Sequence, residues 1–332
     1  MKAKALVFPK ANTFEVQELE LDEPKETDVV VKTLVTAISP GTERWILRGK
    51  HIGTVFPCVP GYHRISVVEE CGSAVKGLTP GDIVYGSACR WKDKVHSMWG
   101  AHIEKAVADW RNFTYLSSSW LSRLEMETLT FGIIAAVATR GIRFLEVKEG
   151  NTMIIIGAGF IGLCAAQLAL YHGVRPLFVE IDERRRQFAG SLGLQSVSPE
   201  DTQMEKFIKD FSPSGVDILY DTAGNAETTD RLVKFVRRQG KILLQAQYFD
   251  KEKCAIDLDQ IKIRELTIKT TIYVGKDDLQ ETFSYIRRRI LNIPAMITHR
   301  FESEEILKGF QVLHTNQPFN LGIVFRWDKR VE

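Results

Sequence analysis

The run Gly157-Ala158-Gly159-Phe160-Ile161-Gly162 limits what this chain can fold into more than any other feature. It fits G-x-G-x-x-G, a pattern that is weak alone and strong in the right context. Here it directly follows the strand-like run Thr152-Met153-Ile154-Ile155-Ile156 and opens an apolar helical pattern from Ile161. A second strand-like run, Pro176 to Val179, then ends in Glu180. In such a turn the first glycine allows the tight bend, the second lets backbone N–H groups approach a pyrophosphate at the helix N-terminus, and the third lets helix and strand pack closely. Gly157, Gly159, Phe160, Ile161 and Gly162 are therefore expected to cradle a dinucleotide. Glu180, with Ile181 beside it, stands 18 residues past Gly162 and is placed to accept hydrogen bonds from a ribose. A carboxylate there repels a 2′-phosphate and favours NAD over NADP. Arg184, Arg185 and Arg186 follow and could grip that phosphate, although a charge run at a helix start is more often a solvated face. Thr222-Ala223 and Gln245-Ala246 end two later strand-like runs, at the sheet edge where such cofactors lie.

Two textures flank this motif. From Ala5 to about Tyr115, short alternating runs are separated by turns such as Ser39-Pro40-Gly41-Thr42, Val59-Pro60-Gly61 and Thr79-Pro80-Gly81-Asp82, which reads as a β-rich, barrel-like domain. From Glu125 strands and helices alternate, starting with one long apolar helix over 125–146, as in a parallel sheet covered on both faces. The expected fold class is α/β, a β-rich domain plus a doubly wound parallel sheet. Helical patterns are expected over 278–290 and 303–315, a strand over the run Leu266–Val274, and a helix opening at Trp45.

Charge and cysteine usage narrow the class. The chain has 44 Lys+Arg against 42 Asp+Glu, with both signs mixed, and so lacks the clustered basic face that nucleic acid demands. Five cysteines, 58, 71, 89, 164 and 254, are scattered with no C-x-x-C pair, which reads as a reduced, cytoplasmic thiol set without a metal ribbon. The N-terminal run alternates like a strand rather than like a secretion signal. Thr152 to Tyr171 is apolar enough to pass for a membrane span, yet its three glycines, Gln167 and the dinucleotide motif argue for a core segment and no span.

Taken together, Val59-Pro60-Gly61-Tyr62-His63, Gly77-Leu78-Thr79-Pro80-Gly81-Asp82, Trp99-Gly100-Ala101-His102-Ile103-Glu104, the glycine run, Asp221-Thr222-Ala223-Gly224-Asn225 and Ile297-Thr298-His299-Arg300-Phe301 resemble the medium-chain dehydrogenase/reductase superfamily from end to end. The resemblance implies a GroES-like catalytic domain, residues 1–125 and 275–332, around a Rossmann NAD-binding domain, residues 126–274. It also implies a small-molecule substrate between the two and assembly as a homodimer or homotetramer. Where zinc members of the family carry their first cysteine ligand this chain has Pro40; at their histidine and adjacent glutamate it has Tyr62 and His63, and their later cysteine falls at or near Gly132. Proline cannot ligate a metal, a catalytic zinc needs three protein ligands, and after Asp82 only Cys89 remains of a four-cysteine structural lobe. The expectation is a member without zinc.

Without a Lewis acid, another group must meet the charge that develops on the substrate oxygen. Tyr62 and His63 hold the matching position, Thr42 matches the hydroxyl that relays protons in the zinc enzymes, and Glu43 matches their outer acid. These four are the catalytic candidates. The competing reading is structural: Tyr62 and His63 packed under the turn, Thr42 and Glu43 capping a helix. Arg44, Trp45, Trp91, His96, Trp99 and His102 lie in segments that could line the substrate site, and His299 reads as structural. The Ser39–Trp45 turn, Phe56-Pro57 and Val84–Cys89 resemble a zinc-lacking group that includes bacteriochlorophyllide hydroxyethyl dehydrogenases. The expected activity is NAD(H)-dependent hydride transfer to or from a secondary alcohol or ketone on a sugar, cyclitol or other ring. The pigment dehydrogenase, an NADPH-dependent quinone or enoyl reductase, and a non-catalytic NAD-binding protein are the alternatives.

Overall fold

The computed structural model describes residues 1–248, 254–317 and 319–329. It contains two compact units, Met1–Ile133 with Ile293–Glu332, and Ile134–Asn292.

The first unit is built on the strand Asp28–Ala37, whose sequence DVVVKTLVTA is rich in β-branched residues and almost wholly buried. It pairs antiparallel with His63–Cys71, with Lys105–Asp109 along its first half and with Gly322–Arg326 along its second. The seven-stranded sheet runs Ile297–Glu302, Gly322–Arg326, Asp28–Ala37, His63–Cys71, Ile83–Tyr85, Thr114–Ser117, with Lys105–Asp109 off this path. Its register sets Ala37 opposite His63. The residues just beyond that pair, Ser39 on one strand end and Tyr62 on the other, are thereby brought together.

The second unit is a six-stranded parallel sheet in the order Gln195–Val197, Arg175–Val179, Thr152–Ile156, Val216–Asp221, Val236–Leu244, Thr267–Thr270. The chain starts in the middle, winds to one side and then to the other. The reversal lies between Thr152–Ile156 and Val216–Asp221, the crevice where such sheets bind ligands. The segment Thr152–Tyr171 is the central strand, the glycine turn and the helix Phe160–Tyr171. Among the described residues no single helix is long and apolar enough to cross a membrane.

Several local expectations are corrected. The helix expected over 125–146 is two helices, Arg123–Thr130 and Gly132–Leu145. The first opens on a capping box in which Glu125 N–H donates to Ser122 Oγ and Ser122 N–H to the Glu125 carboxylate, and it closes at Phe131. The unit boundaries fall at 133/134 and 292/293 rather than 125/126 and 274/275. The second shift has a physical cause: the helix Lys276–Arg287 buries Leu279, Phe283 and Ile286, and its Asp278 pairs with Arg140 and Arg143. Trp45 does not open a helix; it lies inside Pro40–Leu47. The strand after Leu266 is only Thr267–Thr270, and a helix Leu258–Ile263 precedes it.

Glu127 ties the first helix of the former pair to the C-terminal strands. Its carboxylate is 2% exposed and accepts from Arg300 Nε and Arg326 Nε, each at 2.8 Å. Replacing it with Gln removes the charge both guanidinium groups share, leaving Arg300 without a carboxylate among the described residues and Arg326 with the exposed Glu302 alone. Because Arg300 is about one-third exposed, the expected loss for Glu127→Gln is about 2–4 kcal/mol, at the lower side of a broken buried pair, read as a lower urea midpoint.

Candidate functional site

In the first unit, the helix Pro40–Leu47 starts with Ser39 as N-cap and Pro40 in its first turn, where a missing N–H costs nothing. Ser39 does not use its hydroxyl to cap. That hydroxyl lies 2.5 Å from Tyr62 Oη, and the Thr42 hydroxyl also hydrogen-bonds the phenol. Three hydroxyls thus converge at the start of the helix. Tyr62 is partly exposed; burial pushes its phenol above the ordinary range, with the Ser39 and Thr42 bonds opposing. It is a donor at neutral pH rather than a base.

Glu43 is fully buried and takes up the capping role. It accepts the Ser39 N–H at 2.8 Å and lies 3.0 Å from His102 Nε2. His102 Nδ1 reaches Thr36 Oγ1 at 2.9 Å, to which Trp327 Nε1 donates at 2.9 Å. Glu43 therefore fixes the backbone beneath the hydroxyls. Gly61, at φ 95°, makes the approach possible, because a Cβ there would stand 2.6 Å from the His102 ring.

His63 is a correction. It is 0% exposed, with Nδ1 2.9 Å from Tyr85 Oη and Nε2 without a hydrogen-bond partner among the described residues. Burial, helped by the nearby His102, pulls its pKa to about 3. It supports Tyr62, ring centroids 4.3 Å apart, and faces no solvent. Of the other lining candidates, Trp99 borders a cavity. His102 is buried; Trp91 donates to the Val95 carbonyl; His96 lies exposed in the strand His96–Ser97; Arg44 reaches the Leu313 carbonyl; and Trp45 sits within cation–π distance of Arg48 and Lys50. His299 bonds Thr298 beside it.

The cavity holds about 570 Å³ and is lined by His51, Ser87, Cys89, Ser97, Trp99 and Asn112 among others. The Trp99 ring joins it to the hydroxyl cluster, 5.3 Å from the Tyr62 ring centroid.

In the second unit the glycine turn has the cradle its spacing implies. Gly157 adopts φ 92°, and a Cβ there would lie 2.9 Å from the Ala223 Cβ. At Gly162 a Cβ would meet the Gly157 carbonyl oxygen at 2.1 Å. Gly159 is the N-cap of the helix Phe160–Tyr171; Phe160 is buried beneath it and Ile161 partly so. Glu180, 6% exposed, accepts from Ala158 N–H at 2.7 Å and Asp182 N–H at 2.8 Å, while Ile181 is exposed. Arg184 pairs with Asp182 and Arg186 donates to the Glu180 and Ile181 carbonyls. Arg185 instead points to Gly159, its Nη1 3.1 Å from where a Cβ would stand.

Thr222 donates to the Ile156 carbonyl at 2.8 Å. The Gln245 side chain accepts from Tyr220 and donates to the Val137 carbonyl. Asp221 opens the Asp221–Asn225 run that the sequence already marks. Its carboxylate receives the Ala223 and Gly224 N–H groups, Thr229 Oγ1 and Tyr248 Oη, and so shapes the whole turn. The signal was a strand-ending acid two residues before a glycine-containing turn, an Asx-turn pattern.

Comparison with known proteins agrees with this architecture. Residues 25–118 match the alcohol dehydrogenase GroES-like domain and residues 161–288 match zinc-binding dehydrogenase. The 2-desacetyl-2-hydroxyethyl bacteriochlorophyllide A dehydrogenase of Cereibacter sphaeroides is 24% identical, covering 98% of this chain and 99% of the relative. An uncharacterized zinc-type alcohol dehydrogenase-like protein of Haemophilus influenzae is also 24% identical, over 92% and 93%. Among solved structures, alcohol dehydrogenase TADH from Thermus sp. ATN1 superposes with TM-score 0.85 at 20% identity, covering 97% of this chain and 99% of that one. A zinc-binding dehydrogenase from Sinorhizobium meliloti bound to NADP gives TM-score 0.82 at 21% identity, over 98% and 99%. The chain belongs to the medium-chain dehydrogenase/reductase superfamily, and is an oxidoreductase of the alcohol dehydrogenase-like type.

A folded-state pKa near 3 for His63, against about 6.5 unfolded, makes the unfolded chain bind the extra proton below pH 6.5. This stability is complete above pH 6.5 and is lost as pH falls toward 3. Relative to His63→Asn, the wild type should lose about 2 kcal/mol between pH 7 and pH 5, measured by paired urea titrations.

Proposed function

We propose that this protein is a zinc-independent, NAD(H)-dependent oxidoreductase acting on a secondary alcohol or ketone of a sugar, cyclitol or other ring. The observation that carries the reading is the Ser39–Tyr62–Thr42 hydroxyl cluster, in which Tyr62 holds the position that the resemblance gives to a zinc-ligating histidine. The donor set does not suit zinc. Pro40 has no ligating atom, the Tyr62 oxygen is engaged by two hydroxyls, His63 is sealed in the interior, and Gly132 offers nothing.

The second unit suits a dinucleotide, since side chains at Gly157 and Gly162 would fill its turn. Gly157, Gly159, Phe160, Ile161 and Gly162 would hold the pyrophosphate, Glu180 and Ile181 the adenosine ribose, and Thr222, Ala223, Gln245 and Ala246 the nicotinamide side. Bound there, the nicotinamide supplies hydride to a carbonyl carbon or takes it from a carbinol carbon. Tyr62 supplies the proton. Its O–H donates to the carbonyl oxygen and, as charge builds there, transfers the proton to form the alcohol. The phenolate left behind is reprotonated from solvent through Ser39 and Thr42. Glu43 takes no proton in this scheme; it holds the Ser39 backbone in place.

A second reading concerns the cofactor alone. Arg185 beside Gly159, without an ion-pair partner among the described residues, suits a 2′-phosphate and favours NADPH. Titration of NADH and NADPH decides: preference for NADH supports Glu180 as the determinant, and the reverse assigns that role to Arg185. Assembly as a homodimer or homotetramer and a cytoplasmic setting belong to the same proposal; the edge strand Thr267–Thr270, with exposed Ile268 in it and exposed Ile272 just after it, suits pairing with a second copy.

Tyr62→Phe should lower kcat by about 10²–10⁴, the worth of a positioned proton donor, and leave NADH affinity unchanged. Because burial raises the phenol, ketone reduction should be flat through neutrality, whereas alcohol oxidation should climb with pH above it. Elemental analysis of active protein should find no stoichiometric zinc; one zinc per chain needed for turnover would refute the scheme.

A further inference from the structure

Behind the cavity lies a buried charge with no counter-ion. Arg64 follows His63 on the strand His63–Cys71 and is 0% exposed. Its Nε donates to the Gly86 carbonyl at 2.9 Å, Nη2 to the Ala88 carbonyl at 2.7 Å and Nη1 to the Gly100 carbonyl at 3.4 Å. The guanidinium carbon lies 5.9 Å from the Phe113 ring centroid. Among the described residues no carboxylate pairs with it. The carbonyls give each of its three nitrogens a partner without cancelling its charge, and a guanidinium does not surrender its proton at neutral pH. Burial lowers its pKa only to about 10.

Each contact of Arg64 adjoins the cavity. Ala88 lines it directly, Gly86 precedes the lining residue Ser87, Gly100 follows Trp99, and Phe113 follows Asn112. The thiol of Cys89, another lining residue, interacts electrostatically with Arg64, but burial raises its pKa and keeps it neutral, so it supplies no counter-charge. Among the described residues no Asp or Glu lines the cavity. His51, at its edge, is held neutral by burial. Nearby Arg90 differs from Arg64, being neutralised by Asp22 and Asp28. The cavity is therefore walled by neutral groups over a fixed positive charge. In such surroundings an unpaired charge is costly, and a ligand that brings the opposite charge recovers part of that cost.

We infer that the cavity binds an anionic group of the substrate, a carboxylate attached to the ring that carries the reacting alcohol or ketone, with the Ser87 and Ser97 hydroxyls as donors and buried Arg64 as the source of attraction. This rests on the cavity being the substrate site of the proposed reaction and narrows its substrate to carboxylated rings. A volume of about 570 Å³ accommodates a six-membered ring with its substituents.

The test is equilibrium binding to the full chain without dinucleotide, by tryptophan fluorescence and calorimetry. Cyclohexanecarboxylate and its uncharged isostere cyclohexanecarboxamide are the probes, and Trp99 in the wall is a reporter. The carboxylate should bind at least about tenfold more tightly than the amide, a difference of about 1.4 kcal/mol. Equal affinities, or no binding of either at millimolar concentration, overturn the inference. Arg64→Met should abolish the preference. Because that variant strands three carbonyls and can fail to fold, Ser87→Asp serves as the second probe. It should lose carboxylate binding and keep amide binding, and carboxylate preference surviving in it overturns the inference. Binding is read without turnover, so the outcomes separate. A carboxylate preference in a protein that oxidises no ring alcohol sinks the proposed function alone, and turnover of neutral polyols without that preference sinks this inference alone.

Discussion

The antiparallel register that sets Ala37 opposite His63 is the constraint from which the site follows. Shifting one strand by a single residue would turn every side chain to the other face. Tyr62 would then leave Ser39 and Thr42, and Arg64 would leave the carbonyls it now binds. The register is held along a strand that exchanges hydrogen bonds with three neighbours. At its end the pairing is reinforced by Glu43, whose buried carboxylate joins the helix start to His102. The hydroxyl cluster and the guanidinium are two products of one pairing: Tyr62 and Arg64 are two positions apart, and side chains at that spacing along an extended chain share a face.

The two units carry different kinds of information in the sequence. The glycine turn was legible in full, because Gly157 and Gly162 serve steric needs that only one residue type meets, at fixed spacing within a single strand, turn and helix. Glu180 was legible as the acid at the end of the next strand. What it does in the absence of ligand, accepting two backbone N–H groups, was not, since that depends on how two loops approach each other. The bonding of the Gln245 side chain to Tyr220 and Val137 was hidden for the same reason.

In the β-rich unit the positions of Pro40, Tyr62 and His63 could be read against the family, but their environments could not. Tyr62 and His63 are neighbours in sequence and opposites in setting: one joins a cluster of hydroxyls, the other is sealed against Tyr85. The single break between Thr130 and Gly132 was missed because apolar periodicity continues across it. A capping box marks where a helix starts, and nothing as plain marked where this one stops. Arg64, the residue with the most unusual surroundings, looked ordinary in sequence because its partners are backbone carbonyls that any residue could provide.

The chain Ser39, Glu43, His102, Thr36, Trp327 spans nearly the whole length of the polypeptide. During synthesis, which runs from the N-terminus, the first three hundred residues emerge before the strand Gly322–Arg326 and Trp327 exist to complete the sheet beside Asp28–Ala37. The parallel-sheet unit, one continuous stretch ending at Asn292, can close first. The β-rich unit must keep an open edge along Asp28–Ala37 until the strand Gly322–Arg326 has been made. A chain cut before Gly322–Arg326 would thus carry a finished parallel sheet and an unfinished β-rich one, and that strand acts as the latch of the β-rich unit.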